Sequence, residues 1–311
     1  MPNPRFRSGP GEAFRTVAGL FLLGSLACDP TGRAARADST LLAEREARFE
    51  ERLARAGASP GRLTKVARWE LPLALREISG LTLTADGRLL AHDDNLGRIF
   101  EVDYRRGVIV KEFGIGEALV QGDFEAITTA LGQIYLLTSD GILHRFEEGD
   151  DGAHVDYEAI DTGLGKRCEF EAIAFEPGTG SLLLACKAVH EKSLEGNLVI
   201  YRWGLPRGEP FGIITVPAQQ IIGSRRWNQV RPTDMAVDPA TGHYVILLRE
   251  GALVELTPGG GLVAVRELPD PFEQPEGIAL TPEGLVLISD EAGQRPAAIT
   301  LYKGPFRGGA Q

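Results

Sequence analysis

Five variants of one short phrase recur along the chain, and they restrict its fold more than any other feature. Asp123-Phe124-Glu125-Ala126-Ile127 and Cys168-Glu169-Phe170-Glu171-Ala172-Ile173-Ala174-Phe175 are close copies. Gln274-Pro275-Glu276-Gly277-Ile278-Ala279-Leu280 repeats the theme, and Glu77-Ile78-Ser79-Gly80-Leu81 and Arg231-Pro232-Thr233-Asp234-Met235 are looser versions. After each phrase comes an alternating apolar strand, a glycine-containing turn and a strongly apolar strand that stops at charged residues. The copies start roughly 40–60 residues apart, the period of a propeller blade. The expected fold is all-β: a β-propeller of five blades, or of six if the connector 218–232 and the strand at Val66–Leu75 belong to blades of their own.

The spacing predicts blade one over 76–113, blade two over 123–160, blade three over 168–217, blade four over 233–268 and blade five over 276–302. Val66–Leu75 alternates outside any complete blade. It is expected to close the ring by joining the last blade, so that no long sheet edge is left open. The propeller then occupies 63–303, with a tail at 304–311. Upstream, 28–62 reads as a linker followed by a tether helix over Ala37–Ala56. Its apolar stripe is Leu42, Phe49, Leu53 and Ala56, and Gly57 stops it. Such a helix packs on the propeller rim or stands between membrane and domain.

Residues 1–27 read as an export signal of the lipoprotein type. Arg5, Arg7 and Arg15 precede the apolar run Thr16–Ala27, which is too short to span a bilayer comfortably. Ser25-Leu26-Ala27-Cys28 resembles a bacterial lipoprotein cleavage site, which would make Cys28 the lipidated N-terminus and anchor the protein in the cell envelope, facing the periplasm or the exterior. An ordinary cleaved signal is the alternative. The net charge of -10 argues against a nucleic-acid partner, which would call for a basic face. Cys168 and Cys186 could pair in an exported protein. In a flat hairpin turning at 177–180, however, Cys186 lies opposite about Glu171, so the expectation is two buried thiols.

Propeller topology gathers the start of every inner strand and the end of every second strand at one mouth of the central channel. Ser79, Glu125, Glu171, Thr233, Asp234 and Glu276 come from the first set. His92, Asp93, Asp94, Asn95, Lys187, Arg249, Glu250, Asp290 and Glu291 come from the second. Crowded carboxylates are the donors of a hard cation such as calcium, so Glu125, Glu171, Glu276, Asp234 and Asp94 are the candidate metal ligands. The remaining second-strand residues are candidates for binding a small ligand, with Lys187 and Arg249 suited to an anion such as phosphate. A structural alternative stands beside this: a Glu at the start of an inner strand can instead accept backbone amides from the next blade. No His-x-x-x-His pair, Gly-x-Ser-x-Gly elbow or nucleotide-binding loop is present.

Glu77-Ile78-Ser79-Gly80-Leu81, Asp93-Asp94-Asn95-Leu96-Gly97-Arg98-Ile99, Asp123-Phe124-Glu125-Ala126-Ile127, Phe170-Glu171-Ala172-Ile173-Ala174, Thr233-Asp234-Met235-Ala236, Pro275-Glu276-Gly277-Ile278-Ala279 and Ser289-Asp290-Glu291 occur in one order. In that order they resemble the SdiA-regulated family of bacterial propellers, also called YjiK-like or calcium-regulated, over about residues 65–303. The resemblance implies a propeller, an envelope location and calcium as cofactor, with no settled catalytic activity. Three functions follow as expectations. One is a membrane-anchored propeller that binds calcium or a ligand at an acidic mouth. Another is a calcium-dependent, phytase-like phosphoesterase. The third is a scaffold for a protein partner.

Overall fold

The computed structural model describes residues 39–56, 62–205 and 208–304. The signal-like stretch, Cys28 and most of the tail lie outside the described residues. Helix α1 (Ser39–Arg55) leads into strand β1 (Thr64–Glu70). Blade one holds β2 (Ile78–Leu83), β3 (Leu89–Asp93), β4 (Arg98–Asp103) and β5 (Val108–Ile115). Blade two holds β6 (Phe124–Ala130), β7 (Gln133–Thr138) and β8 (Ile142–Phe146). The short β9 (His154–Val155) returns to pair in parallel with β5, and β10 (Tyr157–Asp161) completes blade two. Blade three is β11 (Cys168–Glu176), β12 (Ser181–Val189), β13 (Asn197–Gly204) and β14 (Glu209–Pro217), followed by the short helix α2 (Ala218–Ile222). Blade four is β15 (Pro232–Val237), β16 (Tyr244–Leu248), β17 (Ala252–Leu256) and β18 (Leu262–Glu267). Blade five is β19 (Pro275–Leu280), β20 (Leu285–Asp290) and β21 (Ala298–Lys303).

The fourth strand of blade five is β1, paired antiparallel with β21 from Thr64↔Lys303 to Glu70↔Ala298. The first strand of the ring thus closes its last sheet. Five sheets form the ring, and the connector after blade three carries α2 rather than a sixth blade.

Burial explains the sequence pattern. The second strands lie between neighbouring blades with both faces covered, so β16 and β20 are buried at every position and read as unbroken apolar runs. The outer strand β10 alternates poorly and is exposed along most of its length. Each buried Leu, Ile, Val or Phe contributes about 1.5–3 kcal/mol relative to exposure. The apolar face of α1 docks on the rim: Phe49, 1% exposed, joins Leu75, Phe100 and Val102 in one cluster. The Glu46–Arg106 ion pair at 2.6 Å and Glu50–Arg105 hold the polar side of the helix to the β4–β5 turn. No helix among the described residues is long and apolar enough to cross a membrane.

The cysteines differ from the expectation. Cys168 and Cys186 form a disulfide, with Cα atoms 5.5 Å apart. The flat-hairpin argument fails because β11 is not flat. Its register shifts between Glu169 and Phe170 and again between Phe170 and Ala172, so Cys186 pairs with Phe170. The bend draws Cys168 within reach.

Candidate ligand-binding mouth

The same irregularity recurs in every blade. The inner-strand register shifts between Ile78 and Leu81, Phe124 and Ala126, Phe170 and Ala172, Pro232 and Asp234, and Pro275 and Ile278. The residues skipped by the ladder include Ser79, Glu125, Glu171, Thr233 and Glu276, the equivalent position of each repeat. A bulge leaves its extra residue unpaired and re-aims the side chain. One ring of five side chains at the channel mouth is therefore a product of the backbone as well as of the sequence.

Two residues before each ring position stands another polar residue: Glu77, Asp123, Glu169, Arg231 and Gln274. Sequence reasoning missed this second tier. Strand alternation carries the signal, since residues two apart share a face.

Glu171 and Glu276 are matched by the two expected cations. Lys187 Nζ lies 2.8 Å from Glu171 Oε2 and 3.7 Å from Glu169. Arg249 lies 2.6 Å from Glu276 Oε1 and also donates to Gln274 Oε1 at 2.7 Å, while Gln274 Nε2 donates to Glu291 at 2.8 Å. Glu125 forms no ion pair of its own among the described residues; its carboxyl meets that of Glu171, and the charge of Lys187 acts on it without direct pairing. Burial, and next the charge of Glu171, push the Glu125 carboxyl well above the carboxylate range. Burial likewise raises Glu171, against the pull of Lys187. Glu276 is pushed up to about 7 by burial, with Arg249 opposing. Asp94 is pushed up to about 6 by burial and then by the charge of Asp93 and Glu77. Glu291 is also raised, by burial and then by Glu77 and Asp94. In blade four, Thr233 is 2% exposed and its Oγ1 makes no hydrogen bond among the described residues.

Other expected site residues are occupied elsewhere. Asp234 is fully buried: Oδ1 accepts the Met235 amide at 2.8 Å, and Oδ2 accepts those of Ile278 at 2.8 Å and Leu81 at 3.4 Å. Burial pushes its carboxyl well above the ordinary value, and the three amides act in the opposite sense. His92 is also fully buried. Its Nε2 accepts the Gly80 amide at 2.9 Å, which leaves the proton on Nδ1 to donate to the Asp93 carbonyl at 3.0 Å. Burial holds its pKa down at about 4, so it stays neutral and structural. Asp93 Oδ1 accepts the Asn95 and Leu96 amides at 3.0 and 2.9 Å and shapes the turn after β3, and Asn95 Nδ2 donates to Asp94. Glu250 pairs with Arg231 at 2.9 Å and accepts its backbone amide at 3.1 Å, tying down the end of the connector. Asp290, 1% exposed, accepts the Glu273 and Gln274 amides at 2.9 and 2.8 Å.

The structure thus brings Glu125, Glu171, Glu276, Lys187 and Arg249 together with Asp94 and Glu291 at their edge. It withdraws Asp234, His92, Glu250 and Asp290 into the scaffold. Among the described residues no three His, Cys, Asp or Glu side chains are grouped closely enough to hold a metal ion as they stand.

The fold is similar to that of two solved propellers. One is the glutaminyl cyclase of Myxococcus xanthus, at 13% identity and a TM-score of 0.52, covering 78% of this chain and 97% of that one. The other is the PQQ-bound aldose sugar dehydrogenase of Streptomyces coelicolor, at 14% identity and 0.52, covering 78% and 99%. At such identity the likeness establishes the propeller fold and nothing finer. No family model and no curated protein sequence matches the chain.

Proposed function

We propose that this chain is a non-enzymatic, envelope-anchored binding propeller whose carboxyl ring takes a positively charged ligand. The observation that carries the reading is Glu125: a mostly buried carboxyl in contact with another carboxyl, feeling the charge of Lys187, which is itself paired with Glu171 and Glu169, but forming no ion pair of its own among the described residues. Acids outnumber bases at this mouth, and an incoming positive charge relieves the repulsion among them. The ordered motifs still support kinship with the SdiA-regulated propellers, and the Cys168–Cys186 disulfide supports an oxidising compartment beyond the cytoplasm.

Calcium is the ion that kinship implies. To gather enough oxygens it would have to displace Lys187 from Glu171. An organic ammonium needs no such exchange, because it can donate to Glu125 as Lys187 donates to Glu171. The phosphoesterase reading loses its main argument, since both cations cast as phosphate holders are bonded to carboxylates.

The test is a calorimetric titration of the protein, at mildly alkaline pH, with calcium chloride in one arm and putrescine in the other. Saturable binding of either, abolished in Glu125→Gln, supports the reading and names the class of cation. Binding of neither overturns it in favour of the scaffold.

A further inference from the structure

At the face opposite the carboxyl ring the central channel widens into a cavity of about 550 Å³. Its walls are the far halves of all five inner strands, with Leu81, Ile127, Ile173, Met235 and Ile278 marking its inner end, one from each blade. Along β15 the order is Thr233 in the ring, then Asp234, then the cavity-lining Met235. The Asp234 carboxylate, hydrogen-bonded to the amides of Leu81, Met235 and Ile278, stands between the two ends of the channel.

We infer that this funnel is a second binding site, for a compact and largely apolar small molecule that carries one neutral hydrogen-bonding group. Its volume falls inside the range of about 300–1,000 Å³ typical of small-molecule sites, and those sites are mostly apolar with a few placed polar groups. Here the polar groups are the Thr82 and Thr128 hydroxyls. Both residues are at least nine-tenths buried, both line the cavity, and neither hydroxyl makes a hydrogen bond among the described residues. Neither oxygen is sealed away from the cavity, so a ligand hydroxyl or carbonyl can reach both and hydrogen-bond to them.

Charge at the lip argues against an ionic ligand. Arg88 is committed to Asp86 and Glu101 at 2.8 Å each and to Glu148 at 2.5 Å. The lip also carries Leu131, 69% exposed and held at φ 51°, a backbone region in which a branched apolar residue is uncommon. That φ belongs to the two-residue Leu131-Gly132 turn joining β6 to β7, and the turn holds an exposed apolar side chain at the entrance, which suits apolar molecules.

The probe is N-phenyl-1-naphthylamine, an apolar fluorophore with a single N–H. The full-length protein should enhance its fluorescence saturably at one site, and excess putrescine should leave that binding unchanged, which separates this site from the carboxyl ring. Ala236→Phe, which fills the funnel from blade four, should weaken binding about tenfold or more while the protein still melts cooperatively. Thr128→Val, which keeps shape and removes the hydroxyl, should weaken it roughly threefold to tenfold. If Ala236→Phe does not fold, Leu83→Trp narrows the same funnel from blade one and is read the same way. No saturable signal from the wild type, or an affinity untouched by the filled variant, overturns the inference.

Discussion

The Asp234 carboxylate accepts one amide from blade five and one from blade one: Ile278 N–H at 2.8 Å and Leu81 N–H at 3.4 Å. With the Met235 amide on its other oxygen, a single side chain from blade four ties three blades together at the channel axis. Acid at this position is thus a closure device, although it sits one residue from a ring that faces ligand.

Replacing Asp234 with Ala removes the acceptor for three buried amides. An unsatisfied buried group costs about 1–3 kcal/mol, so Asp234→Ala should lose at least about 3 kcal/mol in urea unfolding. Asp234→Asn keeps one acceptor oxygen and should lose less. Wild-type stability in the Ala variant would remove the tie from the account of the fold.

A second tie runs through glycine. Ser79 Oγ donates to the Glu125 carbonyl at 2.9 Å, and Ser289 Oγ donates to the Ser79 carbonyl at 3.1 Å. Gly277 is pressed against this chain. A Cβ there would stand 2.6 Å from Ser289 Oγ and 2.7 Å from the Ser79 carbonyl oxygen, which is backbone and cannot swing away. Gly277→Ala should therefore destabilise the protein by about 1–3 kcal/mol. Gly178→Ala, whose Cβ would meet nothing within 4 Å, is the control and should change stability by less than about 0.5 kcal/mol. Equal melting temperatures for the two would refute the close-approach argument.

Ring closure gives a third expectation. Deleting β1, Thr64–Glu70, strips the partner from β21 and exposes both its edge and the cluster around Ile299 and Leu301. Aggregation, or a large drop in melting temperature, should follow. Removing residues 1–38 alone leaves every described strand pair in place and should be tolerated. Stable monomers from the β1 deletion would contradict the closing role.

Anchoring is tested separately. Cys28→Ala should move the protein from the membrane fraction to the soluble envelope fraction, measured by fractionation and by mass spectrometry for an acyl group. Retention of the variant in membranes, with no lipid on the wild type, would sink the lipoprotein reading.

The fold was legible because propeller strands advertise their burial. Runs such as Tyr244–Leu248 and Leu285–Asp290 are covered on both faces and so carry an unbroken apolar pattern, and the repeated phrase marks where each inner strand starts. The site was legible only as a neighbourhood. Topology alone places Asp234, Thr233, Glu125 and Lys187 at one end of the channel. What separates a tie from a ring residue is a one-residue bulge, and periodicity cannot register a bulge. That oversight also hid the disulfide, since the bend at Phe170 draws Cys168 toward Cys186. The second tier at Glu77, Asp123, Glu169, Arg231 and Gln274 was readable from alternation once the five phrases were aligned. The apolar funnel was not, because its walls carry the same residues as any inner strand.

The last prediction joins the ring to pH. Glu125, Glu171 and Glu276 all have carboxyls raised above the ordinary 4.5, Glu276 to about 7. The folded state therefore holds these protons more tightly than the unfolded chain does. The stability this contributes is fully present below about pH 4.5 and is lost as pH climbs through the raised values, so melting temperature should fall between about pH 5 and neutrality and beyond. Glu125→Gln/Glu171→Gln keeps shape and removes two of the titrating groups. Its melting temperature should vary less over that window, the remaining slope coming from Glu276, and at alkaline pH it should melt no lower than the wild type. Lys187 retains Glu169 as a partner at 3.7 Å, which limits the cost of losing the Glu171 charge. A cation that binds the ring should raise the wild-type melting temperature, by the equivalent of about 2.7 kcal/mol at a hundredfold excess over Kd, and the double variant should lose that rise. If these acids were instead simple backbone ties, the double variant would be destabilised at every pH and no cation would move the wild-type melt; that pair of results would end the ring as a binding site.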